Sequence, residues 1–239
     1  MKKFIRLLIN IILISILIYS SYNIYIKLSE YKKADNVYED VKKISQSVKD
    51  TKDKYKELHT INPDYRFWIT VDNTNIDYPV VQGTNNDYYL NHDFNKNYLS
   101  SGSIFMDYRN NFEESKSATI YGHHMRNKTM FAQLTKFKDK GFFNQNNLIK
   151  IEDENNTYTY EVFSVYVADL NNKDYLKVNF NNEQDKENYI NYIKNRSLYK
   201  KDIEVNSSDD IITLYTCSYE FDDARTIVHG KLISTEKNN

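Results

Sequence analysis

The sequence predicts a mainly β domain that carries a few helices and follows an N-terminal apolar helix. Three observations lead to this prediction. The chain begins with one long uncharged run, three later stretches have helical spacing, and many short segments are rich in β-branched and aromatic residues. Short strands with helices in their connections are typical of a mixed barrel or sandwich, so we expect an α+β fold dominated by strands.

The N-terminus predicts a membrane anchor. Residues 1–6 carry three basic side chains, and residues 7–26 carry no charged side chain. Twenty residues at helical rise span about 30 Å, the thickness of the hydrocarbon core of a bilayer. The basic flank predicts a cytoplasmic tail over residues 1–6, a transmembrane anchor over residues 7–26 and an extracellular remainder. A cleaved signal peptide is the alternative, although residues 20–23 offer no clear cleavage site.

A helix that packs on the domain or stands as a stalk is expected over residues 27–61. Val37, Val41, Ile44 and Val48 recur at three- and four-residue steps, which is the spacing of one apolar helix face. The Asn-Pro-Asp sequence that begins at residue 62 ends the helical pattern. The remaining domain is therefore predicted to cover residues 62–239.

The predicted strands and helices of this domain alternate without repeats or low-complexity linkers. Strands are expected at residues 67–71, 76–81, 103–106, 118–121, 148–151, 157–168, 211–216 and 226–233. Helices are expected at residues 130–143 and 183–193.

Composition excludes several classes of function. The 32 basic and 33 acidic residues nearly cancel, so the chain shows no charge pattern for binding nucleic acid. The single cysteine excludes an intramolecular disulfide framework and a cysteine-based zinc site. No metal or other cofactor is therefore expected.

The single cysteine, Cys217, is the first candidate for chemistry. It follows the apolar strand over residues 211–216, and Arg225 comes eight residues later at the start of the last strand. If these strands pair antiparallel, the sulfur and the guanidinium group meet at one end of the sheet. A cation beside a thiol favours the thiolate and can stabilise an oxyanion. The alternatives are a buried, inert thiol and a surface arginine that pairs with Asp222 or Asp223.

Two adjacent histidines supply the second candidate. His123 and His124 follow Gly122 at the end of the strand over residues 118–121, where a rigid scaffold presents functional side chains. Neighbours on a strand point to opposite faces, so at most one of them serves a given site and a two-histidine metal site is not expected. The remaining histidines are expected to be solvated (His59 and His92) or structural (His229).

Two segments carry a family resemblance. Residues 213–217, Thr-Leu-Tyr-Thr-Cys, with Arg225 after them, resemble the signature of sortases. Residues 121–125, Tyr-Gly-His-His-Met, are similar to the histidine segment of class B sortases of Gram-positive bacteria. The similarity extends over about residues 62–233. It implies a closed eight-stranded sortase-type β-barrel with an N-terminal helix and a helix in the long connection before the cysteine strand.

The same resemblance implies the residues of the site. The implied catalytic residues are His123, Cys217 and Arg225. His123 is chosen over His124 because the family's histidine directly follows the glycine. The substrate-binding residues are Asn86, Leu90, Tyr121, Tyr175 and Tyr215. Class B sortases commonly have serine at the position of Tyr215, so this phenol leaves open how the peptide is held.

The resemblance also implies a cysteine transpeptidase of the cell surface. Such an enzyme cleaves an Asn-Pro-x-Thr-type motif after threonine and forms a thioacyl-enzyme, which an amine then resolves. The implied partners are secreted proteins with a C-terminal sorting signal, a peptidoglycan precursor amine and the membrane. The alternatives are a cell-surface cysteine protease that uses water as the acceptor, and a non-catalytic wall-binding module with an inert cysteine.

Overall fold

Eight strands close into one barrel in the computed structural model, which describes residues 2–48, 50–145, 147–171 and 176–238. The strands are β1 (Tyr65–Val71), β2 (Asp77–Val81), β3 (Ile104–Met106), β4 (Ala118–Tyr121), β5 (Leu148–Glu152), β6 (Asn156–Asp169), β7 (Ile211–Cys217) and β8 (Ala224–Lys237). Their order around the barrel is β1-β2-β3-β4-β7-β8-β6-β5. The β2–β3 and β4–β7 pairs are parallel, and the other pairs are antiparallel. The predicted mainly β class and closed eight-stranded barrel are confirmed.

Helices lie before the barrel and in its connections. They are α1 (Lys2–Ser47), α2 (Thr51–Ile61), α3 (Lys140–Phe143) and α4 (Glu183–Arg196), with 3-10 helices at Tyr88–Leu90 and Ala132–Lys138. Helix α4 follows β6 and precedes β7, as expected. Asn182 caps it, since the Asn182 side chain accepts a hydrogen bond from the backbone N–H of Asp185.

Helix α1 joins the apolar N-terminal run to the surface of the barrel. Among the described residues it is the helix long and apolar enough to cross a membrane. Its later part packs on the domain, where Ala34, Tyr38 and Val41 are buried and the Tyr38 hydroxyl donates to Gly102 O at 2.5 Å. Within the segment predicted over residues 27–61, the structure has the end of α1 and then α2.

The helix predicted over residues 130–143 is wrong in type. The structure has a 3-10 helix at Ala132–Lys138 and the one-turn helix α3 after it. Phe131, Leu134 and Phe137, the apolar residues behind the prediction, are spaced by three, and this matches the three residues per turn of a 3-10 helix. Asp139 then separates the two helices and accepts a hydrogen bond from Phe142 N, which starts α3.

Two buried clusters stabilise the barrel. The larger one fills its interior, and the smaller one lies where α4 covers β6, β7 and β8. His229 of β8 is fully buried beside the smaller cluster, near the Thr213 hydroxyl (3.0 Å from Nδ1) and the Tyr166 hydroxyl (3.3 Å from Nε2). Burial lowers the pKa of His229 to about 3, because the charged imidazolium would lose its hydration there. The expectation that this histidine is structural agrees with its position.

This buried histidine predicts an acid-sensitive fold. The unfolded chain protonates His229 below about pH 6.5, whereas the folded protein does so only near pH 3, so stability is lost as the pH falls through this window. Between pH 7 and pH 4.5 we expect wild type to lose roughly 3 kcal/mol more unfolding free energy than His229→Gln. Guanidinium unfolding of the full-length chain in detergent measures this difference.

The matched control is His59→Gln on the surface helix α2, which we expect to keep the wild-type pH dependence. Equal acid losses in wild type and His229→Gln would contradict the prediction.

Candidate active site

The pairing of β7 with β8 places the cysteine beside the arginine. Cys217 and Arg225 are opposite residues at the end of this antiparallel ladder, and the Ser218 N–H donates to Ala224 O at 2.9 Å just beyond them. Arg225 also pairs with Ala168 of β6, so strands on both sides hold its backbone. The expected meeting of thiol and guanidinium at one end of the sheet is confirmed.

The histidine segment reaches the same end of the barrel through β4. This strand runs parallel to β7, and after it Gly122 N donates to Tyr215 O at 3.1 Å. The loop that follows is held closed, because Phe131 N donates to His123 O at 3.0 Å. The His123 Nε2 lies 2.7 Å from Leu90 O. A carbonyl oxygen only accepts hydrogen bonds, so Nε2 carries a proton in this contact.

The neighbouring His124 faces a different partner. Its Nδ1 donates to the backbone carbonyl of Cys217 at 2.9 Å, and its ring packs edge-on against Tyr219 at 4.9 Å between centroids. The Tyr219 hydroxyl donates to His124 O at 3.2 Å. His124 therefore links the histidine loop to the backbone of the cysteine, a connection that the sequence did not indicate.

One groove of about 290 Å³ collects the candidate residues. All three predicted catalytic residues line it, together with four of the five predicted substrate-binding residues; Tyr175 lies outside the described residues. The lining residues are Asn86, Asp87, Leu90, Phe105, Tyr121, Gly122, His123, Leu170, Tyr215, Cys217 and Arg225. Sequence reasoning missed Asp87, Phe105 and Leu170. Of these, Phe105 could have been found, since it lies within the predicted strand over residues 103–106, which pairs with β4.

Comparisons with known proteins agree on one family. The model of the sortase domain matches residues 69–233. Sortase B of Listeria monocytogenes is 32% identical, over 98% of each chain. The chain belongs to the sortase family. Sortases are cysteine transpeptidases, so this sortase is an enzyme of the class that anchors proteins to the cell wall. The sortase-type barrel predicted from residues 62–233 is therefore confirmed.

Two solved structures resemble this sortase over most of its length. The X-ray structure of Clostridium perfringens sortase B is 48% identical, covers 75% of this chain and 99% of that chain, and has a TM-score of 0.73. The Staphylococcus aureus sortase B–substrate complex is 30% identical, covers 86% of this chain and 99% of that chain, and has a TM-score of 0.79.

The guanidinium of Arg225 in this sortase is mostly buried and stays protonated. Partial burial by itself lowers the pKa of Arg225, but its electrostatic interactions with Cys217 and Tyr215 and a hydrogen bond to the Tyr215 phenol raise it overall. The expected surface partner Asp223 lies at 3.8 Å with an exposed side chain, so this ion pair is weak. The electrostatic partners of Arg225 therefore lie mainly within the groove.

Aromatic rings form one wall of the groove. The Tyr121 ring lies between Phe105, at 5.2 Å between centroids, and Tyr215, at 5.1 Å in an edge-on contact. Such pairs stabilise beyond the burial of their area by about 1 kcal/mol each. Tyr215 thus packs against the wall with its ring and contacts Arg225 with its hydroxyl.

Gly122 is required by the close packing behind His123. An added Cβ would lie 2.5 Å from Ile104 Cδ1 and 2.7 Å from Phe131 Cγ. Relief of this clash would displace Phe131, whose N–H binds the His123 carbonyl, and would therefore shift His123. We expect Gly122→Ala to lower kcat/KM for transpeptidation by about 100-fold, the loss typical of a displaced reacting group.

The control is Gly141→Ala on α3, where an added Cβ meets only the Asp139 carboxylate, at 3.1 Å, and activity should be retained. Peptide-cleavage kinetics and thermal unfolding of the full-length variants separate lost activity from lost fold. Wild-type kinetics in Gly122→Ala would show that the packing does not position His123.

Proposed function

We propose that this sortase cleaves an Asn-Pro-x-Thr-type sorting motif after its threonine and transfers the acyl group to an amine of a peptidoglycan precursor. The substrates are secreted proteins with a C-terminal sorting signal. The observation that carries this proposal is the single groove that contains the Cys217 thiol, the Arg225 guanidinium and the His123 imidazole. At about 290 Å³ the groove suits a short extended peptide rather than a folded surface.

Acylation begins at the sulfur of Cys217. The thiolate attacks the carbonyl carbon of the motif's threonine, and the Arg225 N–H groups stabilise the oxyanion that forms. The carbon–nitrogen bond then breaks, and imidazolium His123 gives the Nδ1 proton to the departing amine while Nε2 stays bound to Leu90 O. The products of this half-reaction are a thioester on Cys217, a free amine and a neutral imidazole.

Deacylation reverses the proton transfer. The acceptor amine attacks the thioester carbon, Arg225 again stabilises the oxyanion, and His123 takes a proton from the attacking nitrogen at Nδ1. Collapse of the intermediate releases the Cys217 thiolate and leaves a new amide bond. The resemblance to the Staphylococcus aureus sortase B–substrate complex supports a peptide in this groove.

Mass spectrometry of the full-length chain in detergent tests the proposal. With a panel of sorting peptides, we expect the mass of Cys217 to increase by that of the acyl fragment ending in threonine, and addition of a short glycine or diamino-acid nucleophile should yield ligated peptide. Cys217→Ala is the control and should form no adduct. Absence of an adduct with every peptide would refute the assignment, and release of the hydrolysed acid alone would favour a cysteine protease.

We further propose that the N-terminus lies in the cytoplasm and the barrel outside the cell. Helix α1 carries an apolar stretch suited to a membrane, and the basic residues precede that stretch. Because Cys217 is the single cysteine, a membrane-impermeant thiol reagent should label it in intact cells as completely as after lysis. Labelling that appears only after lysis would reverse the topology, and Cys217→Ala controls for labelling of other proteins.

A further inference from the structure

A buried carboxylate lies behind the wall of the groove. Asp107 directly follows β3, and its side chain is fully buried. Its backbone is fixed on both sides, because Asp107 N donates to Thr119 O at 2.9 Å and Gln82 Nε2 donates to Asp107 O at 2.9 Å. Asp107 does not line the groove, and nothing in the acylation chemistry requires it.

The two oxygens of Asp107 receive five hydrogen bonds. Oδ1 accepts from the backbone N–H of Arg109 at 2.9 Å and from its Nε at 2.8 Å. Oδ2 accepts from Arg109 Nη2 at 2.7 Å, the Tyr121 hydroxyl at 2.8 Å and Asn86 Nδ2 at 2.9 Å. The Arg109 guanidinium thus binds both carboxylate oxygens and neutralises the charge, while the groove residues Asn86 and Tyr121 supply two further donors.

These contacts determine how Asn86 and Tyr121 face the peptide site. The Asn86 amide is oriented at both ends, since its Nδ2 donates to Asp107 and its Oδ1 accepts from Tyr108 N at 3.1 Å. The Tyr121 hydroxyl donates to the same carboxylate, which sets the direction of its ring between Phe105 and Tyr215. One carboxylate therefore joins the loop that carries Asn86 to strand β4.

The carboxylate keeps its charge under all physiological conditions. Burial alone would raise the pKa of Asp107, but the hydrogen bonds from Arg109, Tyr121 and Asn86 lower it to about 2. A buried charge of this kind is costly unless every lone pair is used, and the five donors meet that requirement. Replacing it with an amide would put a donor where the carboxylate has an acceptor, and the new donor would face the donors of the neighbouring residues.

We propose that Asp107 is a positioning residue of the transpeptidase. Arg109 holds the Asp107 carboxylate, and the carboxylate in turn fixes the Asn86 amide and the Tyr121 phenol on the wall that receives the sorting peptide. This proposal rests on the proposed function. It makes Asp107 a determinant of peptide binding that acts through its two neighbours and not through contact with the reacting atoms.

Asp107→Asn in the full-length chain in detergent tests the proposal. The amide keeps the shape but is neutral and accepts hydrogen bonds at one atom only. Its NH2 group must face the Arg109 donors at one position or the three donors at the other, so the arrangement that positions Asn86 and Tyr121 is disturbed. We expect kcat/KM for the sorting peptide to fall by about 10-fold. The fall should come from a higher KM, with kcat staying within about twofold of wild type. The iodoacetamide alkylation rate of Cys217 should also stay within about twofold, because the thiol and Arg225 are untouched.

The matched control is Asp209→Asn. Asp209 is another ion-paired, mostly buried carboxylate, with Lys231 Nζ at 3.0 Å, but it lies at the opposite end of β7 from Cys217. Its variant should keep the wild-type KM. A KM in Asp107→Asn equal to that of wild type would overturn the proposal, as would an equal KM rise in Asp209→Asn.

A second variant separates positioning from folding. Tyr121→Phe removes the hydrogen bond from the phenol to Asp107 and should raise KM by about fivefold. In the Asp107→Asn background the same change should raise KM by clearly less than fivefold, since the hydrogen bond to Asp107 is already disturbed. Multiplicative losses would show that Asp107 does not act through Tyr121. If Asp107→Asn does not fold, an unchanged KM in Tyr121→Phe overturns the proposal. Failure of wild type itself to form the thioacyl adduct would count against the proposed function instead.

Discussion

The antiparallel register of β7 and β8 is the constraint on which the candidate active site depends. It sets Cys217 opposite Arg225, and a shift of one residue would send one of these side chains to the other face of the barrel. The register is held from both directions, because β8 also pairs along its whole length with β6, and β7 also pairs with β4. The positions of the thiol and the guanidinium are thus set by paired strands on both sides.

The parallel pairing of β4 with β7 brings in the third group. The chain leaves β4 at Gly122, and the two histidines then take partners on different elements: His123 contacts the Leu90 carbonyl and His124 the Cys217 carbonyl. Each imidazole is oriented by a main-chain oxygen, which accepts and cannot donate. The tautomer of His123 is therefore fixed by the backbone, and no third side chain is needed to orient it, in contrast to a cysteine–histidine–asparagine protease, in which the asparagine side chain does so.

Most strands could be predicted from the sequence because they are short, rich in β-branched and aromatic residues and bounded by polar turns. The 3-10 helix at Ala132–Lys138 could not, since three-residue spacing of apolar residues also occurs in α-helices. The Cys217–Arg225 pair could be anticipated because it needs only one hairpin. Leu170 and Asp107 could not, because their relation to the groove depends on contacts between segments far apart in the chain.

Two different interactions therefore hold the side chains of the groove in place, one a buried charge with its hydrogen bonds and the other a packed aromatic ring. Behind Asn86 and Tyr121 lies a buried charge that is satisfied only when five donors hold one geometry, so small displacements are costly. Beside Arg225 lies the Tyr215 ring, which packs through dispersion and tolerates small displacements, while its hydroxyl touches the guanidinium. The position where class B sortases commonly carry serine thus links the aromatic wall to the cation in this chain. A change there alters groove shape and Arg225 orientation together, whereas a change at Asp107 alters the wall alone.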